Sequence, residues 1–279
     1  MGRHAPGLGG SVAAVSDPEL AGKRALVTGA SRGIGAAIAR ELHARGAKLV
    51  LTARRRSALD ALAAELGGAE VIVGDLGQPG GAASVWTAAA TKPVDILINN
   101  AGFGYFRPFT DVDWQRDAEL VQLNITSLVE LARHFIDQKT GSYLVNIASI
   151  GAYQSVPNMA LYAASKAFVR NFSEGLHDEL RGAMRVTCVC PGGTKTEFHA
   201  VAGAGNYGWL ANASMMTAEE VARISVRAML AGKRTVIPGL MNKLSCFGVR
   251  LVPRRFASWM ARRVLGKPRP GALPPRVAA

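Results

Sequence analysis

Three cysteines in 279 residues are too few for a disulfide framework. Cys188 and Cys190 stand two apart in RVTCVCPGG, which on a strand turns both to one face and is too close for a CxxC redox or zinc motif. Buried free thiols, no metal site and a reducing, cytoplasmic setting are therefore expected. Aromatic residues are scarce at 6% and charged residues modest at 19%, against 49% hydrophobic; this excludes a disordered polyelectrolyte and favours a compact α/β protein. No run approaches the ~20 apolar residues needed to cross a bilayer. The start, MGRHAPGLGGSVAAVSDPEL, has no sustained apolar stretch and reads as a disordered lead-in over 1–21, with no secretory leader. Pro6 stands where a myristoylation motif has Ser or Thr. Acidic residues are missing from one end: none follows Glu220, while thirteen Lys and Arg lie from Arg223 to Arg276. The whole net charge of +13 sits in that C-terminal fifth, and residues 1–220 are neutral.

What is present is an alternation. Segments 24–28, 47–52, 70–73, 94–99, 142–148, 184–190 and 234–238 are short, β-branched and apolar on both faces, as strands buried in a parallel sheet must be. Between them, segments such as IGAAIARELHAR, DWQRDAELVQLNITSLVELARHFI (113–136) and 158–181 repeat apolar residues at helical spacing. Strand–helix alternation over 22–240 predicts one α/β domain, a doubly wound (Rossmann) parallel sheet of about seven strands with helices on both faces. From about 241 the rhythm breaks into a basic C-terminal helical extension, 241–279.

Two local patterns carry chemistry. LVTGASRGIGAAIA runs strand, glycine turn, helix, with Gly29, Gly33 and Gly35 placed so that backbone N–H groups approach a pyrophosphate at the helix N-terminus; Ser31, Arg32 and Ile34 complete the turn. A glycine turn alone is also compatible with a purely structural role. At the end of the second strand, where NAD-binding folds carry an acid for the ribose hydroxyl, stand Ala53 and Arg54. Arg32 and Arg54, with no carboxylate at that position, suit a 2′-phosphate, so NADP(H) is the expected cofactor; Arg55 and Arg56 read as solvated loop charges. The second pattern is LYAASKAF: Tyr162 and Lys166 share one helix face, although both groups ordinarily titrate near pKa ~10.

With TGASRGIG and YAASK on one chain, and Asp75-Leu76, NNAG (99–102), Asn124, Ser149 and PGGTKT (191–196) in order between and after them, the sequence resembles the short-chain dehydrogenase/reductase family over about 22–240. The resemblance implies that Asp75 and Leu76 border the adenine and that Asn100, Ala101 and Gly102 form the floor beneath the cofactor. Pro191, Gly192, Thr194 and Thr196 would hold the nicotinamide end. Asn124, Ser149, Tyr162 and Lys166 would be the catalytic set; Tyr162 and Lys166 would also contact the cofactor, Lys166 at the nicotinamide ribose, and Asn124 would anchor a water that refills the proton through Lys166. Beside Lys166 and an oxidised nicotinamide, the Tyr162 pKa is expected to fall. The implied activity interconverts a ketone and a secondary alcohol, with a 3-oxoacyl thioester, a steroid and a smaller carbonyl all open. A non-catalytic NADP-binding sensor with the same fold is the alternative. The family also implies a homodimer or homotetramer through the helices at 113–136 and 158–181.

Two further segments have less determined expectations. EFHAVAGAGNYGWLANASMM (197–216) is suited to close over an apolar substrate, or to pack on its own domain. In the tail, Phe256, Trp259, Met260 and Val264 share a helix face with Arg254, Arg255 and Arg262 turned away. That pattern is compatible with packing on the body, a lid, a subunit contact or an anionic membrane; with a neutral body, nucleic acid is not an expected partner. VIPGLMNKL with this tail resembles a bacterial branch of the family linked to lipid-like ketones.

Overall fold

The structure, a computed structural model, describes residues 17–194, 215–266 and 268. Seven parallel strands form one sheet in the order β3-β2-β1-β4-β5-β6-β7. They are β1 (Arg24–Thr28), β2 (Lys48–Ala53), β3 (Glu70–Val73), β4 (Ile96–Asn99), β5 (Tyr143–Ile147), β6 (Arg185–Val189) and β7 (Thr235–Val236). The helices that connect them are α1 (Gly33–Ala44), α2 (Arg56–Glu65), α3 (Gly81–Ala89), α4 (Trp114–Val121), α5 (Ser127–Asp137), α6 (Ala160–Glu179) and α7 (Ala218–Leu230). After β7 come α8 (Leu240–Gly248) and α9 (Arg254–Leu265).

The strands are apolar on both faces because both faces are covered. In β1, Ala25 and Val27 join the core under α1 and α7, while Leu26 joins Trp86, Leu131 and Phe135 on the other side. Ala36, Ala37 and Ala39 are buried on α1, and side chains this small let a neighbouring helix approach closely. Local signals set the helix starts: the Asp113 carboxylate accepts from the Arg116 N–H at 2.8 Å, and Thr217 with Glu220 forms a reciprocal capping box.

The predicted elements are found, with strand ends shifted by a residue or two. The single helix expected over 113–136 differs: a π-helical turn, Gln122–Thr126, separates α4 from α5 and carries Asn124. Such turns recur at functional sites. The strand order reverses direction between β1 and β4, so the crevice at their carboxyl ends is where this architecture binds ligands.

Candidate active site

The glycine turn after β1 lies at that crevice. Gly29 and Gly33 have φ of +64° and +58°, a conformation costly for any residue with a Cβ. Gly35 is needed for a different reason: a methyl group there would overlap the Gly29 carbonyl oxygen. Arg32 precedes α1 in extended backbone and, having only donors, makes no side-chain cap. The NNAG segment straps this turn. Asn100 N–H and Ala101 N–H each donate to Thr28 Oγ1 at 3.0 Å, and Asn100 Nδ2 donates to the Thr28 carbonyl at 2.9 Å and the Gly29 carbonyl at 3.3 Å. Ser31 and Ile34 are half-buried within the turn.

At the neighbouring end of β2, Arg54 lies 3.5 Å from Glu119, a buried carboxylate on α4 that also meets Arg116 at 3.3 Å. Arg54 is therefore already partly engaged. Arg56, expected in the loop, is instead the first residue of α2 and pairs with Asp60 one turn along it at 2.9 Å. Asp75 accepts from the Gly77 N–H at 2.9 Å, closing its own turn, and the buried Leu76 offers its carbonyl to Ser127 Oγ at 2.6 Å.

Ser149, Tyr162, Lys166 and Asn124 converge from three places: the end of β5, α6 and the π-helical turn. Ser149 follows β5, and its Oγ accepts from the Gly151 N–H at 3.1 Å. Tyr162 and Lys166 stand one turn apart near the start of α6, with Lys166 Nζ 5.9 Å from the phenol ring centroid. The ammonium donates to the Ile147 carbonyl at 2.8 Å and is 5% exposed. Above Gly102, a Cβ would lie 3.0 Å from Asn124 Oδ1 and 3.3 Å from Lys166 Nζ. Asn124 Nδ2 donates to the Phe103 carbonyl at 2.9 Å and to Ser165 Oγ at 3.1 Å, while Oδ1 accepts from the Phe103 N–H at 3.1 Å. Both amide donors are thus engaged within the protein.

With only the protein's own groups around it, the pair is shifted by burial. Burial pushes the Tyr162 phenol up to about 12, opposed by a hydrogen bond with Ser149. Burial also pulls Lys166 down to about 8. Desolvation disfavours the charged form of each group and is the largest cause of both shifts.

Pro191 is buried and its carbonyl accepts from the Ile150 N–H at 2.9 Å. Thr194 Oγ1 donates to the Gly192 carbonyl at 3.2 Å. Thr196 and most of the 197–216 segment, with Phe198, His199, Tyr207 and Trp209, lie outside the described residues. All three cysteines are buried and free, and the Cys188 and Cys190 sulfurs are 3.8 Å apart. His134 stacks on Trp86, and His177 Nδ1 meets the Val186 carbonyl at 2.8 Å.

Sequence reasoning passed over three contributors. Gly104 lies against the phenol: a Cβ there would be 2.5 Å from the Tyr162 ring. Ser165 links Asn124 to the Tyr162 carbonyl, to which its hydroxyl donates at 2.7 Å. Asn242, on α8, packs directly behind Gly192. Only Gly104 had a readable signal, a second glycine inside the aromatic run FGYF.

A doubly wound parallel sheet with a glycine turn at its switch point and a half-buried tyrosine one turn from a buried lysine beside it is the plan of a dinucleotide-dependent enzyme. The chain belongs to the short chain dehydrogenase family, which it matches over residues 23–207. It is 37% identical over 191 residues to serine 3-dehydrogenase of Agrobacterium fabrum, covering 65% of this chain and 76% of that protein. A short-chain dehydrogenase from Sphingobium yanoikuyae in complex with NADPH superposes with a TM-score of 0.72 at 33% identity, covering 82% of this chain and 93% of that one. A structure bearing on 7beta-hydroxysteroid dehydrogenase stereoselectivity has a TM-score of 0.75 at 26% identity, covering 87% and 98% respectively.

Proposed function

We propose that the protein is an NADP(H)-dependent oxidoreductase that interconverts an apolar ketone and a secondary alcohol, with Tyr162 as general acid and base. The observation that carries this reading is the convergence of Ser149, Tyr162 and Lys166. The residues also fit the cofactor. The α1 N-terminus and the two arginines, Arg32 and Arg54, form a cationic donor set with no carboxylate at Ala53, which suits a phosphorylated dinucleotide. Asn100, Ala101 and Gly102 would lie beneath it, Asp75 and Leu76 beside its base, and Pro191, Gly192, Thr194 and Thr196 at its reactive end. When bound, such a cofactor supplies or accepts the hydride.

The chain's own groups handle the proton. In reduction, the substrate oxygen takes the Tyr162 proton while Ser149 Oγ donates to the same oxygen and stabilises its developing charge. A phenol pushed up to about 12 is protonated at neutral pH and ready to donate. Lys166, held by Ile147, is the cation that steadies the phenolate left behind and passes on the replacement proton. Asn124 fixes Phe103 and Ser165 around this pair; because both its amide N–H groups are engaged, a relay water depends on other groups for its hydrogen-bond donors. An apolar substrate is supported by the likeness to a hydroxysteroid dehydrogenase structure.

The test is NADPH oxidation, with NADH in parallel, against ketones of increasing chain length and ring count. Turnover with NADPH supports the reading; tight NADPH binding without turnover on any ketone favours the sensor. The pH profile adds a sign. Lys166 is charged below its lowered pKa of about 8, so kcat/KM for reduction is expected to be level to about pH 7.5 and to fall about tenfold per unit above pH 8. A profile level through pH 10 would show that the Lys166 charge is not needed. Gly104→Ala tests positioning. The added methyl displaces the Tyr162 ring, and kcat is expected to drop about 100-fold with NADPH affinity unchanged in a fluorescence titration.

A further inference from the structure

We propose that α8 and α9 form a docking face for an anionic lipid bilayer. Helix α8 is inside out for a water-facing surface. It holds the body through Asn242, whose Nδ2 donates to the Pro238 carbonyl at 2.8 Å, and through the buried Cys246. Leu240, Met241, Leu244 and Phe247 occupy the opposite arc and are 56–71% exposed. Leu251 continues the surface through a 3-10 turn. Helix α9 repeats the arrangement, seating itself on Ala257 and Ala261 and turning Phe256, Trp259 and Met260 outward at 45–51% exposure. The expected apolar face of this helix is thus not packed on the body. Of the twelve large hydrophobic side chains exposed among the described residues, eight lie between Leu240 and Met260. That concentration marks an interaction surface; isolated exposed side chains would be ordinary.

Charge names the occupant. Lys243, Arg250, Arg254, Arg255, Arg262 and Arg263 are exposed on these two helices and the 3-10 turn between them, and no acidic side chain follows Glu220 in the chain. Among the described residues none of the six forms an ion pair. Arg263 lies over the Trp259 ring at 5.0 Å, and Trp259 stacks on Phe256 at 5.6 Å. Aromatic and aliphatic side chains interleaved with unpaired cations meet both of their needs at an anionic membrane interface, where the apolar groups enter the acyl boundary and the cations meet headgroups. A second copy of the same face would bring like charges together, and a nucleic acid would leave the apolar arc in water. Because Asn242 packs behind Gly192, the docked face lies next to the reactive end of the site. Delivery of an apolar ketone from the bilayer follows from this placement, and that clause alone rests on the function proposed above.

The full-length protein is floated with vesicles of phosphatidylcholine alone and of equimolar phosphatidylcholine and phosphatidylglycerol. Partition is expected onto the anionic vesicles, weakening with salt and accompanied by a blue shift of Trp259 emission that is lost in Trp259→Phe. Leu244→Ser with Phe247→Ser, and separately Arg254→Gln with Arg255→Gln and Arg262→Gln, are each expected to weaken partition at least about tenfold without changing thermal unfolding. Absence of partition, or partition that both variants leave unaltered, overturns the proposal. So does a wild type that ignores vesicles but whose hydrodynamic size changes in the Leu244→Ser/Phe247→Ser variant, which would make the face a subunit contact. Binding is scored without turnover, so vesicle binding by a protein that reduces no ketone would count against the catalytic reading and leave this one standing.

Discussion

Tyr162→Phe is expected to lower kcat for NADPH-dependent ketone reduction by about 10²–10⁴-fold, the range a positioned general acid supplies. The substitution removes only the phenol oxygen. The ring, against which Gly104 is closely packed, stays in place, and so does the Lys166 ammonium 5.9 Å from its centroid. NADPH affinity is therefore expected to stay within about threefold, since the glycine turn, Arg32, Arg54 and Lys166 are left in place. Steady-state turnover beside a fluorescence titration of NADPH separates the two quantities. A variant that keeps more than about a tenth of the wild-type rate would assign the proton to another group. Loss of binding in parallel with rate would instead mean that the hydroxyl organises the pocket.

Removing both arginines at the cofactor's expected phosphate, Arg32→Ala with Arg54→Ala, is expected to reduce kcat/KM with NADPH by about 10²–10⁴-fold while NADH changes little. Hydrogen bonds to charged groups contribute about 1.5–3 kcal/mol each, and two of them account for that range. The single variants are expected to be unequal. Arg54 already lies 3.5 Å from the buried Glu119 carboxylate, so a phosphate competes with Glu119 for it, and Arg54→Ala should cost less than Arg32→Ala. Glu119 keeps Arg116 at 3.3 Å in the absence of Arg54, which limits collateral damage to the fold. Equal losses with NADPH and NADH would place these arginines at a part common to both cofactors and leave the preference to other residues.

Several parts of the site were legible because they are local. The glycine turn declares itself by glycines at fixed spacing between a strand and a helix, and the positive φ at Gly29 and Gly33 is the conformation such spacing serves. Tyr162 and Lys166 meet because four residues make one helical turn. Other parts were not, because they depend on partners far along the chain. The contact of Gly104 with Tyr162 joins two segments, and the Arg54–Glu119 pair joins β2 to α4. The sign of the Tyr162 shift also depends on depth. Sequence shows a neighbouring cation, but only the fold shows how far burial raises the phenol.

The same division runs through the whole molecule. Alternating strands and helices, buried on both faces, were enough to determine a doubly wound parallel sheet, because periodicity and right-handed crossovers leave few other arrangements. The charge asymmetry was equally plain in the chain. Which way α8 and α9 face was not. Helical periodicity establishes that two faces differ but not which one meets the body. Here the body takes Asn242, Cys246, Ala257 and Ala261, small side chains that fit a close approach. The larger apolar groups, having no space on that side, are turned to the outside.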